Sequence, residues 1–265
     1  MKNATTYMLI AAVIAIAGHA QAQSGSGTLA SAQALPVALP NAAKSSIKAD
    51  PAAWNLLKAA HDTRETFSSD FGGLTATILF NDNGTVHTGA VSYTANDDVT
   101  VDLDRLDPDT KEWLDDQAGS IFDHRRGGEF SRHDGQYPIT FAVADQSPLG
   151  KLVELHDGLN STYRVRNNQV VEVTRTMGGQ RFTITVLEST ETVDGKYLPK
   201  QFIVTYFDAK TGQLQKAAAY TDSYADVDGF WLPTSRQIVT AEDGKTTTRL
   251  LVFSDYHVKH VRAAK

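Results

Sequence analysis

The chain contains no cysteine, so neither disulfides nor a thiol nucleophile can contribute and the hydrophobic core must hold the fold alone. Long apolar runs are scarce as well. The one run, residues 8–17, is about half the ~20 residues that a membrane-spanning helix needs. No nucleophile elbow around a serine, no H-E-x-x-H pair, no phosphate loop and no glycine-rich dinucleotide turn occurs, so none of the common catalytic motifs is present. Basic residues are in deficit, 25 Lys and Arg against 31 Asp and Glu. That balance argues against nucleic acid or an anionic membrane as default partners.

The apolar run has its own explanation. Lys2 supplies a positive start and Ala20-Gln21-Ala22 an A-x-A cleavage site, the pattern of a Sec-type signal peptide spanning residues 1–22. Cleavage leaves 243 of the 265 residues and removes Lys2, taking the formal charge from −6 to −7. With no cysteine after the run, a lipoprotein acyl anchor is chemically impossible. The expectation is a protein exported to the periplasm or beyond, free to diffuse. Residues 23–49, rich in Ser, Ala, Gly, Gln and Pro, read as a flexible leader. A single β-rich domain is expected over 50–258, with a tail at 259–265.

Asp50-Pro51 is an N-cap followed by proline at the first helical position, and Trp54, Leu57, Ala60 and His61 recur on one helical face. Asp107-Pro108 opens a second helix, with a stripe of Trp113, Leu114, Ala118, Ile121 and Phe122 running to about Arg125 and Gly127 as the C-cap. Between the helices, strands at 74–80 and 85–94 flank an Asn83-Gly84 turn, and a third strand follows at 99–103. Beyond residue 137 eight strands are expected, near 137–144, 162–167, 169–177, 180–189, 200–208, 213–222, 234–241 and 246–256. Most are separated by Gly-Gly, Asp-Gly or Thr-Gly turns. One device occurs twice: Val193-Asp194-Gly195-Lys196-Tyr197-Leu198-Pro199 returns as Val227-Asp228-Gly229-Phe230-Trp231-Leu232-Pro233. In both copies the Asp-Gly pair can take positive φ and proline sits at a strand entry. The fold class is therefore α+β, mostly β: a long antiparallel sheet, curled like a half-barrel around two helices. Its concave face is either an open cleft or a space filled by Trp54, Trp113 and their neighbours.

Candidate ligand-binding residues form two basic sets. His124 and Arg125 end the second helix, with His133 shortly after it. Two guanidiniums and two imidazoles at one helix end suit an anion, or, through His124 and His133, a metal ion. The helix macrodipole explains the same basic residues structurally. Arg164 and Arg166 share a strand face, and the Asn167-Asn168 turn is expected to bring Arg175 into their neighbourhood. Asp102, Asp104, Asp107 and Asp109 fit no EF-hand spacing and serve better as helix cap and first turn. No cofactor and no resident metal are expected.

Four stretches carry a resemblance: Asp70-Phe71-Gly72-Gly73-Leu74, His124-Arg125, Phe130 with His133 and Gly135, and the run from Tyr163 to Val170 with Arg175. They resemble the bacterial family called domain of unknown function 3386, with Gly72 where that pattern has proline. The resemblance implies one domain over most of residues 50–256 and implies no reaction. More distantly, the architecture is similar to the periplasmic lipoprotein carriers, whose half-barrel shelters acyl chains. The expected function is non-enzymatic binding of a lipid or other amphipathic ligand in the concave sheet. The alternatives are an enzyme or metal-binding protein using His124 and His133, and an envelope protein-protein interaction module.

Overall fold

The computed structural model describes residues 47–94 and 99–261. The expected signal peptide, nearly all of the expected leader and the last residues of the expected tail lie outside the described residues. Helix α1 is Pro51–Asp62 and α2 is Pro108–Asp123. Both begin as their sequences dictate: the Asp50 carboxylate accepts from the N–H groups of Ala52 and Ala53 at 2.8 and 3.3 Å, and Asp107 accepts from Thr110 at 3.0 Å. Such caps each contribute about 1 kcal/mol. The end of α2 differs from expectation. His124 is the cap, in right-handed conformation, and the glycines serve elsewhere: a Cβ on Gly128 would stand 2.4 Å from His133 Nε2.

Twelve strands follow in one antiparallel sheet: β1 Phe71–Asp82, β2 Thr85–Thr94, β3 Val99–Asp102, β4 Ile139–Phe141, β5 Lys151–Leu155, β6 Thr162–Arg166, β7 Gln169–Met177, β8 Gln180–Glu191, β9 Tyr197–Asp208, β10 Leu214–Val227, β11 Phe230–Glu242 and β12 Lys245–His260. From β4 to β12 each strand lies beside the next in sequence, and β1 closes onto β12 with β2 and β3 outside it. The sheet is curled and open. Its edges, β3 and β4, are four and three residues long, and β2 pairs with β3 only from Ala90 to Tyr93.

Alternation places one face of each strand against the helices, in two sub-cores. The larger joins Leu114, Ala118, Ile121 and Phe122 of α2 to β1–β3 and β8–β12. The smaller joins Ala53, Leu57 and Ala60 of α1 to β4–β7 and Phe130. The segment between α1 and β1 crosses the seam between them. It is zipped to the start of β9 by Tyr197 N–H to Thr63 O and Glu65 N–H to Tyr197 O, both at 2.9 Å. Gly73, with φ of 122°, lies so close to the Tyr93 carbonyl that a Cβ would stand 2.4 Å from it. Gly73 therefore lets β1 and β2 approach, while Gly72, whose Cβ would stand 2.8 Å from the Lys259 carbonyl, lets β1 approach β12.

Candidate functional site

A cleft opens along the seam. Its roof is the strap Arg64-Glu65 and the last turns of α2, from Ser120 to Arg125, and its floor comes from β7 to β11. Val173, Ile184, Val186, Leu198 and Phe202 make the floor largely apolar. Neither Trp54 nor Trp113 plugs it. Trp54 packs edge-on to Phe130 and donates to the Gly135 carbonyl at 3.1 Å, whereas Trp113 lies under the Arg249 guanidinium, 4.2 Å from it. The cavity volume is about 80 Å³, within about 770 Å³ of empty space once the open mouth is counted.

Charged groups line the cleft beside the apolar floor. Asp222 on β10 and Arg236 on β11 are cross-strand partners, and the guanidinium grips the carboxylate with two hydrogen bonds of 2.8 and 2.7 Å. Both residues are almost wholly buried, where a two-pronged geometry is what offsets desolvation. The Tyr224 hydroxyl is 3.1 Å from the Pro199 carbonyl and 3.3 Å from Asp222. Burial, with Asp222 adding to it, holds that phenol far above its ordinary range.

Arg125 is 4 % exposed. It donates to the carbonyls of Glu65 and Trp231 at 3.1 and 2.6 Å, lies 4.8 Å over the Phe67 ring, and approaches the Glu65 carboxylate at 3.6 Å. It thus ties α2 to both the strap and β11, which is a structural duty at the cleft wall. Burial pulls its guanidinium below the ordinary value, with Tyr224 and Glu65 opposing, and burial pushes the Glu65 carboxyl up. His124 reaches Ser120 at 3.4 Å and lines the cleft beside it.

The other predicted residues separate. His133 lies against Gly128 and near His61 at the end of α1. Among the described residues no group of three or more His, Cys, Asp or Glu is placed to hold a metal ion. Arg164 bonds Glu172 at 3.1 Å and Asp145 at 3.0 Å, and Arg166 bonds the Pro148 carbonyl at 3.0 Å. Both thus anchor the loop before β5 and neither lines the cleft. Arg175 is on the opposite sheet face, which corrects the expectation of one arginine neighbourhood. The cause is a register shift in the β6–β7 hairpin: Val165 pairs Val170, but Arg164 pairs Glu172, leaving Val171 as an extra residue. One inserted residue inverts the face of everything beyond it.

Turned inward, Arg175 donates to the Tyr163 hydroxyl, which donates to Asp134 at 2.8 Å, and Arg175 and Asp134 lie 3.6 Å apart. Burial raises the Asp134 carboxyl and raises the Tyr163 phenol far above its ordinary range. This triad fastens the short helical turn after α2 to the sheet. Sequence reasoning missed Arg64, Asp222 and Arg236. The pair Asp222 and Arg236 are fourteen residues apart and meet only once the β10–β11 register is known.

Burial holds the His61 imidazole below its ordinary 6.5, Arg64 adds to this and Asp62 opposes it, and His133 acts weakly in the same direction as Arg64. A depressed histidine contributes stability that is full above the unfolded value and lost as pH falls through the folded one. The urea midpoint should therefore fall between about pH 7.5 and 5.5, and His61→Gln should flatten that slope relative to wild type. An unchanged slope in the variant would assign the acid sensitivity to other groups.

Fold and site together define a class: a curled antiparallel sheet holding two helices on its inner face, with an apolar-floored cleft between them. The chain belongs to the family described as a protein of unknown function, DUF3386, whose model matches residues 48–258. Among solved structures it is similar to a domain described as an outer membrane lipoprotein-sorting protein from Vibrio parahaemolyticus, at 11 % identity over 78 % of this chain and 92 % of that one, with TM-score 0.36. A LolA superfamily protein from Nitrosomonas europaea gives 12 % identity, 79 % and 94 % coverage and TM-score 0.31. A DUF1329 family protein from Desulfovibrio piger gives 9 %, 80 % and 94 %, and 0.25. The curated proteins give no match.

Proposed function

We propose that the protein is an exported, non-enzymatic binding protein that shelters the apolar part of an amphipathic ligand, such as a lipid, in the cleft between the helices and the sheet. The observation that carries this is the unplugged floor of Val173, Ile184, Val186, Leu198 and Phe202, with charged groups among the other lining residues. An apolar recess with a few placed polar groups is the usual form of a small-molecule site. At about 80 Å³ the cavity is smaller than the few hundred Å³ of a typical ligand pocket. It therefore seats a short length of hydrocarbon, and the remainder of the ligand leaves through the mouth. Export rests on the signal-type N-terminus. No helix among the described residues is long and apolar enough to cross a membrane.

The test is titration of the mature chain with N-phenyl-1-naphthylamine, an apolar dye that brightens on leaving water. Saturable uptake of one equivalent is expected. Val186→Phe, which fills the floor, should weaken uptake about tenfold or more, while overpacking costs about 1–3 kcal/mol of stability. Dye binding that ignores the substitution would place the ligand elsewhere.

A further inference from the structure

One arginine lining the cleft has no carboxylate partner among the described residues. Three arginines, Arg64, Arg125 and Arg236, face three carboxylates, Glu65, Glu172 and Asp222. Asp222 is held by Arg236 and Glu65 approaches Arg125 at 3.6 Å. Glu172 is taken at 3.1 Å by Arg164, which does not line the cleft. The cation that remains is Arg64.

Among the described residues no carboxylate lies within 4.0 Å of the Arg64 guanidinium, and its side-chain hydrogen bond is a long one, Nε to the His61 carbonyl at 3.4 Å. Asp134, which feels the charge of Arg64, is already engaged by Arg175 and Tyr163. The Arg64 backbone is fixed by its bridge to Tyr197, so the side chain projects from a pinned strap at the cleft wall. A guanidinium with free N–H donors on a rigid backbone, next to an apolar floor, is matched to a carboxylate or phosphate attached to a hydrocarbon chain.

We propose that Arg64 is the recognition residue for an anionic head group, a carboxylate or a phosphate monoester, on the amphipathic ligand whose chain occupies the cleft. This rests on the function proposed above and names the chemistry of its ligand. The pinned strap holds the guanidinium where the chain leaves the floor, and the head group supplies the anionic partner that Arg64 lacks.

Calorimetric titration of the mature protein with dodecanoate, dodecyl phosphate and dodecanol tests it, since the three probes share one chain and differ in the head. At least one anion should bind about tenfold or more tighter than the alcohol, as a charge-assisted contact requires, and the better anion identifies the head group. Arg64→Gln should reduce the anion to the affinity of the alcohol without changing the alcohol, and Arg64→Lys should retain part of the preference. Equal wild-type affinities for all three probes, or a preference that survives Arg64→Gln, would overturn the assignment while leaving the cleft in place. Failure of every probe, dodecanol included, to bind folded wild-type protein would overturn both. The wild-type comparison needs no variant, so a misfolded substitution does not shelter the idea.

Discussion

Asp222→Ala should lower the unfolding free energy by about 3–5 kcal/mol, the usual consequence of stranding one member of a buried ion pair. Asp222 is the one carboxylate paired with Arg236 among the described residues. Arg236 is 5 % exposed, its Nη1 has no hydrogen-bond partner, and its guanidinium lies 5.7 and 5.4 Å from the Phe202 and Tyr220 rings, with the Tyr224 phenol also near. Without the carboxylate an uncompensated cation remains in the sheet beside the cleft. The double substitution Asp222→Leu with Arg236→Met should recover most of the loss, because two apolar groups need no partner. Urea denaturation of the single and double variants measures this, and a double variant no more stable than Asp222→Ala would mean that the pair contributes through something other than mutual neutralisation.

The repeated turn gives the second large effect. Leu198 and Leu232 occupy the same place in the two Asp-Gly-x-aromatic-Leu-Pro copies and are 2 % and 0 % exposed. Truncating either to alanine should cost about 2–5 kcal/mol. The two should differ in one respect. Leu198 lines the cleft and Leu232 does not, so Leu198→Ala should enlarge the site and admit bulkier apolar probes, whereas Leu232→Ala should only destabilise. If both variants bound such probes equally, the cleft floor would be misplaced. The aromatic position also splits: Tyr197 is buried, its hydroxyl accepting from Val170 N–H at 3.1 Å and 3.2 Å from the Ala60 carbonyl, while Trp231 is half-buried and lends its carbonyl to Arg125. Tyr197 thus couples the first copy of the turn to α1.

Local signals in the sequence carried much of the architecture. Asp50-Pro51 and Asp107-Pro108 announced both helices, and Asn83 and Gly84 take the positive φ that a tight hairpin turn requires. The Asp228-Gly229 and Asp243-Gly244 turns do the same. Two features of the sheet were not legible for physical reasons. Strand β5, five residues between Gly150 and His156, has only Val153 and Leu155 turned inward, too short an alternation to stand out from its polar surroundings. The pairing of β1 with β12 joins segments nearly the whole domain apart, and nothing local encodes it.

The candidate site was less legible than the fold. Arg125 was visible as a basic residue at a helix end, and His124 beside it does line the cleft, but a composition of charges does not say which will be neutralised. Arg125 is spent on two carbonyls and Glu65, and Arg164 on Glu172 and Asp145. Arg175 was expected near Arg164 and Arg166, and the bulge at Val171 that turns it to the other face has no sequence signature of its own. Arg64, with ordinary spacing and no motif around it, acquires meaning only when the strap is zipped to β9 and its neighbours have been paired.

Native mass spectrometry of the mature protein, purified from the envelope of its own host without detergent, tests the central claim most directly. The account predicts a stoichiometric mass excess that denaturing extraction releases as an amphipathic molecule with an anionic head, and that Val186→Phe greatly diminishes. A bare polypeptide mass, from protein that also fails to take up an apolar dye, would contradict the binding function.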